Sequence, residues 1–271
     1  VIERLGFQSA PYPKRFRDQI ATCLNRRGDP DGVLAETEHA ITQIHANLVK
    51  SFGGGIDVIG FHGQTIWHDP AQGKTLQVGN ARFLANMTGL PVVHDFRSND
   101  MAHGGQGAPL IPVYHRAIVE TKNTAVINIG GVGNVTFIGD AGDLIAFDTG
   151  PGNALIDDLV RAHNKGDFDA GGAVGLSGMV DEARLRQWMQ NPYFHAPPPK
   201  SLDRNDFDGC DVSDMSLADG AATLAAFTAQ SIIAASRHLP TSPDQWVVCG
   251  GGRHNLAIMQ GMQRLTNAPV I

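Results

Sequence analysis

Apolar positions in the first part of the chain alternate between strand and helix spacing. Residues 36–51 carry apolar side chains at helical spacing, with charged residues on the opposite face. Residues 56–65 predict a buried strand that runs into a polar turn, 81–89 a short helix stopped by Gly89, and 90–96 another strand. This alternation favours a mostly parallel sheet with helices packed on it. The apolar positions of the first helix are Ala40, Ile41, Ile44 and Leu48.

The second part of the chain predicts a hairpin followed by helices. Residues 124–139 form two β-rich runs joined by glycines, and 144–147 predict a short buried strand. Residues 195–208 contain three successive prolines and predict a loop. An alanine-rich helix is predicted over 218–236, and 245–265 predict a strand, a triple-glycine turn and a helix. The core-facing residues of the alanine-rich helix are Leu224, Phe227, Ile232 and Ile233.

Several further boundaries follow from local signals. A glycine loop leads into a helix within 101–119, and we expect a lobe boundary near residue 118, with lobes at 1–118 and 119–271. Ser177 predicts the start of another helix. The chain opens on a predicted strand at Val1, and a further apolar strand is predicted to begin within residues 267–271.

Composition narrows the class of protein. With 271 residues, 42% hydrophobic, 18% charged and 32 of them glycine, the chain suits a loop-rich α/β fold with two lobes. A net charge of -6, with no basic cluster larger than residues 14–17, argues against duplex nucleic acid as a partner. No apolar run approaches the ~18 to 20 residues that span a bilayer. Three scattered cysteines favour a reducing compartment, so we expect a soluble cytoplasmic protein without a membrane partner: Cys23, Cys210 and Cys249.

The position of Asp148 in the sequence makes it a candidate catalytic or ligand-binding residue. It follows the predicted strand 144–147 and precedes a turn of two glycines and a proline, with a predicted helix from Asn153. Strand ends in α/β sheets form ligand crevices, and unpaired N–H groups at the helix start can hold an anion such as phosphate. A carboxylate there is available as a base or as a ligand for a phosphate-bound cation. The alternative is that Asp148 caps a turn and Asn153 caps a helix.

Three glycine turns at strand ends suggest a nucleotide site. They lie in residues 127–134, 147–153 and 247–255. Glycine lets a phosphate or ribose approach the backbone closely. The alternative for each is an ordinary strand-to-helix turn. Neither GxGxxG after a first strand nor the P-loop pattern is present, which disfavours those two nucleotide folds.

The stretch GFHGQTIWHDP, residues 60–70, offers hydrogen-bonding groups for a hydroxyl-rich ligand. We expect His62, Gln64, Thr65 and His68 in one turn, the alternative being a purely structural turn. The sequence lacks HExxH and any zinc spacing, so no metal ligands are assigned. Arg97 is suited to grip a carboxylate or to pair with its acidic neighbours. An esterase is disfavoured because GxSxG is missing.

Seven motifs together resemble the anhydro-N-acetylmuramic acid kinases, in the same order, from about residue 10 to the end. The resemblance implies two ribonuclease H-like lobes of the actin-like, sugar kinase and chaperone ATPase superfamily, with ATP in the cleft between them. It also implies ATP and Mg²⁺ as cofactors, an amino sugar substrate and a homodimer. The motifs are GFHGQTIWHDP, TLQVGN, PVVHDFRSNDMAHGGQGAPLIPVYH, INIGGVGNV, FDTGPGNALIDDLV, NPYFHAPPPKS and VVCGGGRHN.

The same resemblance implies roles for individual residues. Asp148 matches the catalytic base of an enzyme that opens 1,6-anhydro-N-acetylmuramic acid with water and phosphorylates its 6-oxygen. The implied sugar-binding residues are His62, Gln64, Thr65, Arg97 and Asp100. The implied nucleotide-binding residues are Gly130, Gly131, Gly150, Gly152, Asn153, Gly250, Gly251, Gly252 and Asn255.

Some family features differ in this chain. An N-terminal MSGTSxDG hairpin and a C-terminal GDDxEA helix of the family are absent, so we expect a chain truncated at both termini and little turnover from this span by itself. Ser98 and Asn99 stand where the family usually carries basic residues, at the expected contacts to the sugar's lactate carboxylate. Two alternative functions stay open: a non-catalytic sugar or nucleotide sensor, and another sugar kinase of the superfamily.

Overall fold

Two units of the chain fold around separate cores. The computed structural model describes residue 3, residues 5–121 and residues 123–271, and separates unit 1, Val1–Leu110, from unit 2, Ile111–Ile271. The strand predicted at Val1 lies outside the described residues. The functional lobe boundary near residue 118 stays a prediction.

Unit 1 contains four helices and four short strands among its described residues. Strand β1 pairs in parallel with β4, and β2 pairs antiparallel with β3. Asn80 caps α3 by accepting a hydrogen bond from the Phe83 N–H at 2.8 Å, and Gly89 ends that helix with a φ of 71°, as predicted. The elements are α1 (Lys14–Cys23), α2 (Val33–Phe52), β1 (Ile59–Phe61), β2 (Gln64–Asp69), β3 (Lys74–Val78), α3 (Ala81–Thr88), β4 (Val92–His94) and α4 (Phe96–Ala102).

Unit 2 is built on a four-stranded sheet in the order β7, β6, β5, β8. Among its described strands, β5 and β8 are parallel, and the hairpin predicted over residues 124–139 is confirmed as the antiparallel pair β5 and β6, joined by a short turn. Of the mostly parallel sheet predicted for the first part of the chain, the structure has the parallel pair β1 and β4, but β2 and β3 form an antiparallel pair. The elements are α5 (Pro112–Ile118), β5 (Thr124–Ile129), β6 (Val132–Ile138), β7 (Leu144–Pro151), α6 (Ala154–Ala162), α7 (Ala173–Ser177), α8 (Glu182–Trp188), α9 (Leu217–Ala234), β8 (Gln245–Cys249) and α10 (Leu256–Leu265).

The core of unit 2 lies between this sheet and helices α6, α9 and α10. Ile127, Phe147, Ile232 and Ile258 are fully buried or nearly so in one cluster. Val270 forms a parallel bridge with Trp246 of β8, where the sequence predicts a further strand.

Helix α9 and the turn that follows it have the length and composition of a membrane span, which the sequence did not predict. Residues Leu217–His238 are long and apolar enough to cross a bilayer by length and composition. However, 61% of that apolar stretch is buried within the protein, and core helices of this kind pass the same test. Leu224, Phe227 and Ile232 are buried as predicted, whereas Ile233 is half-buried.

Ser177 does not start a helix. It ends α7, and the next helix, α8, begins at Glu182. The carboxylate of Asp181 accepts hydrogen bonds from the Ala183 and Arg184 N–H groups at 3.0 and 2.9 Å, so an acid provides the cap four residues further on.

Candidate active site

Asp148 lies inside an edge strand rather than after its end. Strand β7 continues through Pro151, and Asp148 pairs with Asn134 of β6 on its inner side. The side chain is half-buried. The predicted end of the strand at Phe147 is wrong by four residues, because the glycine-containing segment still pairs with β6 across an irregularity in register.

The loop between α8 and α9 covers the outer edge of β7 and holds Asp148. The Leu202 N–H donates to Asp148 Oδ2 at 2.8 Å, and the Asp148 N–H donates to the Lys200 carbonyl at 3.2 Å. The Tyr193 hydroxyl donates to the Asp148 carbonyl at 2.6 Å. These contacts fix the backbone of Asp148 and one oxygen of its carboxylate.

Aromatic packing anchors that loop. Phe194 is 3% exposed, and its ring stacks on Phe207 with centroids 5.6 Å apart and meets Phe227 of α9 edge-on at 5.7 Å. Tyr193 is adjacent to this cluster, and burial, followed by the Asp148 charge, raises its pKa above the ordinary value. Its hydroxyl therefore stays protonated and remains a donor at neutral pH.

Lys200 lies beside the same contacts. Its Nζ donates to the Tyr193 carbonyl at 2.9 Å and lies 4.5 Å from the centroid of the Tyr193 ring. Burial, followed by the nearby charge of Arg237, lowers the pKa of Lys200 to about 8. The amine is thus a partly desolvated donor within the loop that positions Asp148.

The structure brings the three glycine turns together in unit 2. We call residues 130–131, 150–153 and 250–252 the glycine cluster. Within it, the N–H groups of Gly152 and Asn153 donate to the carbonyls of Gly131 and Gly130 at 2.9 and 2.7 Å. The Ala154 N–H also donates to the Gly131 carbonyl, at 3.3 Å. The expectation that the N–H groups of Gly152 and Asn153 are unpaired is therefore wrong, because a neighbouring turn occupies them.

Asn153 joins two turns instead of capping its helix through its side chain. Its Nδ2 donates to the carbonyls of Ile129 and Gly130 at 3.3 and 3.2 Å, with no side-chain bond to the start of α6. The cap alternative for Asn153 is thus wrong. Asn255 does cap α10, accepting from the Ala257 N–H at 3.0 Å, as its position predicts.

Close backbone approach explains the glycines of the third turn. Gly250 has a φ of 79°, and a Cβ there would lie 2.6 Å from both Asn128 Oδ1 and the Ile129 carbonyl. A Cβ on Gly252 would overlap the Ile129 side chain. The turn after β8 therefore packs directly on the end of β5.

A cavity of about 330 Å³ adjoins the glycine cluster within unit 2. Gly251 and Asn255, both expected near the nucleotide, line it. Asp157 and Phe168 also line the cavity, although no sequence motif marks them as members of a site. Only their proximity in space reveals them. The lining residues are Asn153, Asp157, Phe168, Asp169, Gly171, Gly251, His254 and Asn255.

In unit 1 the structure joins two of the predicted sugar-binding residues. Arg97 Nε on α4 donates to His62 Nε2 at 3.1 Å, and His62 Nδ1 lies 2.9 Å from the Gly63 carbonyl. Since Nε2 accepts, Nδ1 carries the proton and donates to that carbonyl. A groove of about 280 Å³ begins beside this pair and is lined by Phe61, His62, Gly63, Thr75, Leu76, Gln77, Gly79, His94, Asp95 and Ser98.

The other predicted unit 1 residues serve neighbouring segments. Gln64 and Thr65 lie in strand β2 rather than in a turn, and Gln64 Nε2 donates to the Thr65 carbonyl at 3.1 Å. His68 also lies in β2, with Nδ1 3.0 Å from Thr75 Oγ1, and burial lowers its pKa. Asp100 Oδ2 accepts from the Gly107 N–H at 2.7 Å and so shapes the glycine loop after α4. The prediction of one turn fails because β2 pairs with β3 along its length.

Comparison with known proteins assigns the family. The family described as anhydro-N-acetylmuramic acid kinase matches residues 2–270. The protein of that name from Rhodopseudomonas palustris is 48% identical, with 96% of this chain and 75% of the relative covered. The one from Acidiphilium cryptum is 50% identical, with 89% and 68% covered.

Among solved structures, the ethanolamine utilization protein EutJ from Carboxydothermus hydrogenoformans is similar over 86% of this chain and 68% of its own. Its TM-score is 0.44 at 13% identity, and a likeness this distant carries no functional argument. The family match and the sequence identities are sufficient by themselves: the chain belongs to the anhydro-N-acetylmuramic acid kinase family.

Proposed function

We propose that this chain opens the 1,6-anhydro bond of anhydro-N-acetylmuramic acid with water and phosphorylates the freed 6-oxygen from ATP. The product is N-acetylmuramic acid 6-phosphate, a step of cell-wall recycling. Membership of the family supports the reaction. The single structural observation that supports it most is the held carboxylate of Asp148, with Oδ2 bound by the Leu202 N–H.

Asp148 acts as the base in this reaction. Water attacks the anomeric carbon and gives its proton to the Asp148 carboxylate, which needs to lie within ~3 Å of that water. The bond between the anomeric carbon and the 6-oxygen breaks, and its electron pair stays on the oxygen. That oxygen then forms a bond to the γ-phosphorus, and ADP leaves. An inverting glycosidase uses a second carboxylic acid to protonate the departing oxygen, whereas here phosphorus captures it.

The two units supply different groups. In unit 1, His62 accepts a hydrogen bond from Arg97 Nε and so directs the guanidinium, a cation suited to the carboxylate of the sugar. Thr65, Gln64 and Asp100 complete the proposed sugar-binding set. Two ribonuclease H-like lobes are the fold that we propose for these units.

The glycine cluster and its cavity form the proposed ATP site in unit 2. Gly130, Gly131, Gly150, Gly152 and Asn153 lie near the phosphates in this proposal, and Gly250, Gly251, Gly252 and Asn255 near the adenosine. Phosphoryl transfer needs mainly positioning and charge stabilisation.

Mg²⁺ fits this site as an ion carried by the nucleotide. Within the described ranges, no three His, Cys, Asp or Glu side chains are grouped as a metal cage. Mg²⁺ in kinases keeps several waters and binds substrate phosphates with only one or two carboxylates, so a cage is not required. Phosphate oxygens and water would hold the ion, and no side chain of this chain is assigned to it as a ligand. Bound Mg²⁺ would neutralise charge on the transferred phosphoryl group.

The proposal includes a cytoplasmic location and a homodimer, and light scattering on the purified chain tests the latter.

The reaction is tested by incubating the chain with ATP, Mg²⁺ and the anhydro sugar in ¹⁸O-labelled water. Mass spectrometry should find the label on the anomeric carbon and phosphate on the 6-oxygen. Label on the phosphate without sugar product would indicate simple ATP hydrolysis and contradict the proposal.

A further inference from the structure

One carboxyl in the cavity beside the glycine cluster is left without a hydrogen-bond donor. Asp157 lies in the first turn of α6, half-buried, and in the part of the chain that the structure describes no donor contacts its carboxyl. Its neighbour Asp158 differs, since it is exposed and pairs with both Arg161 and Arg204. The two adjacent acids therefore have opposite environments.

The surroundings of Asp157 keep it desolvated without a dedicated cation. Burial is the largest cause that raises its pKa, to about 6, and the charges of Asp158 and Asp167 add to the rise. Arg161 and Arg204 oppose it, but Arg161 is engaged by Asp158 and by the Asp167 carbonyl, the latter at 2.8 Å. The other acid of the cavity, Asp169, accepts from the Val174 and Gly175 N–H groups at 2.9 and 3.0 Å. Asp157 is thus the acid of this cavity with acceptor capacity to spare.

The size of the cavity and two of its lining residues suit a nucleoside. Its volume of about 330 Å³ falls within the ~300 to 1,000 Å³ typical of small-molecule sites. Phe168 lines it and is 61% exposed, which leaves an aromatic face available for stacking on a base. Gly251, with open space around its Cα, lets a ligand approach the backbone of the turn.

We propose that Asp157 binds the ribose hydroxyls of ATP, with Phe168 against the base. This inference rests on the proposed function, since it takes ATP as the nucleotide. An ionised carboxylate is an acceptor only, and its two oxygens match the two neighbouring hydroxyl donors of a ribose. Acidic side chains hold ribose hydroxyls in this way in dinucleotide-binding folds, so the chemistry has a precedent on unrelated proteins.

Calorimetric titration tests the assignment. ATP, 2′-deoxy-ATP, 3′-deoxy-ATP and inosine triphosphate are titrated into the full chain and into its Asp157→Ala and Asp157→Asn variants, with Asp158→Asn as the matched control. A hydrogen bond to a charged group is worth enough that loss of one hydroxyl should weaken binding at least about tenfold in the unaltered chain. Asp157→Ala should weaken ATP to a similar extent and abolish the discrimination against the deoxy nucleotides. Asp158→Asn should leave both the affinity and the discrimination unchanged.

The outcomes separate the inference from the function. If the chain phosphorylates the sugar and Asp157→Ala keeps its affinity and its discrimination, the inference is overturned and the function stands. If Asp157→Ala instead loses discrimination between ATP and inosine triphosphate, the carboxyl contacts the base and the ribose assignment is wrong. If the unaltered chain binds no adenine nucleotide, both fail together. Thermal unfolding of each variant, with Asp157→Asn as the near-isosteric substitution, identifies any loss that arises from misfolding.

Discussion

The backbone N–H of Leu202 donates a 2.8 Å hydrogen bond to Asp148 Oδ2 across 54 residues of sequence. This bond leaves the position of the carboxylate dependent on the loop that carries Leu202. The same loop contributes the Tyr193 hydroxyl to the Asp148 carbonyl. Because a base contributes most when its orientation is fixed, groups of this loop should affect turnover without touching either substrate.

Replacing Tyr193 by phenylalanine removes one hydrogen bond and keeps the aromatic packing. A net hydrogen bond is worth about 1 kcal/mol, so kcat should fall about fivefold while the KM for each substrate stays nearly constant. Steady-state kinetics with the sugar and ATP varied in turn measure this. Tyr114→Phe is the control, since Tyr114 is 42% exposed on α5. Equal kcat values for Tyr193→Phe and the unaltered chain would remove Tyr193 from the positioning role.

Lys200 predicts how stability depends on pH. Its pKa is lowered to about 8 in the folded protein, below the 10.5 of the unfolded chain, so the unfolded state binds more protons between these values. The free energy of unfolding of the unaltered chain, minus that of Lys200→Met, should therefore increase as pH rises from 7 to 10. Urea unfolding at four pH values measures the difference. A difference that stays flat or decreases would show that Lys200 is not desolvated.

The glycine cluster predicts a contrast between two adjacent glycines. A Cβ on Gly252 would overlap the Ile129 side chain, whereas one on Gly251 meets nothing within 4 Å. Gly252→Ala should thus lower the free energy of unfolding by about 1–3 kcal/mol, the usual cost of overpacking. Gly251→Ala should change it little. Similar stabilities of the two variants in urea would contradict the packing of the third turn on β5.

Substitution of Arg97 should change the KM for the sugar and leave the KM for ATP unchanged. Arg97→Lys replaces a directed guanidinium donor to His62 by a point charge on a flexible stem. The KM for the anhydro sugar should increase about tenfold, as expected when one charge-assisted hydrogen bond is lost, with the KM for ATP unchanged. Arg82→Lys, at an exposed position of α3, serves as the matched control. An increase in the KM for ATP instead would place Arg97 in another role.

The helices and strands that could be predicted have strong periodicity or clear end signals. Helix α2 has a sustained apolar stripe, and α3 has a glycine stop. Helix α4 could not be predicted from an apolar stripe, because it buries no residue. Asp95 before it adopts a φ of 56° and makes no side-chain cap, so the start of this helix is set without the usual capping hydrogen bond. The β2 strand was not predicted because it carries Gln64, Thr65 and His68, which are equally common in polar turns.

The candidate site could be predicted in part. Asp148 and the glycine turns were marked by residue type and by their position after apolar runs. The prolines predict that residues 195–208 form a loop. They do not predict that this part of the chain binds Asp148, because the contacting residues lie 45 to 54 positions away from Asp148 in the sequence. The occupied N–H groups of Gly152 and Asn153 depend on a turn more than 20 residues away, which local patterns do not encode.

The most direct test of the account is sugar phosphorylation by Asp148→Asn. The amide keeps the size of the side chain and an oxygen for the Leu202 N–H, but it cannot take the proton of water. Phosphate transfer to the anhydro sugar should fall by about 10²–10⁴, the usual contribution of a general base, while calorimetry finds ATP and sugar still bound. Turnover within tenfold of the unaltered chain, with both ligands bound, would contradict the assignment of Asp148 as the base.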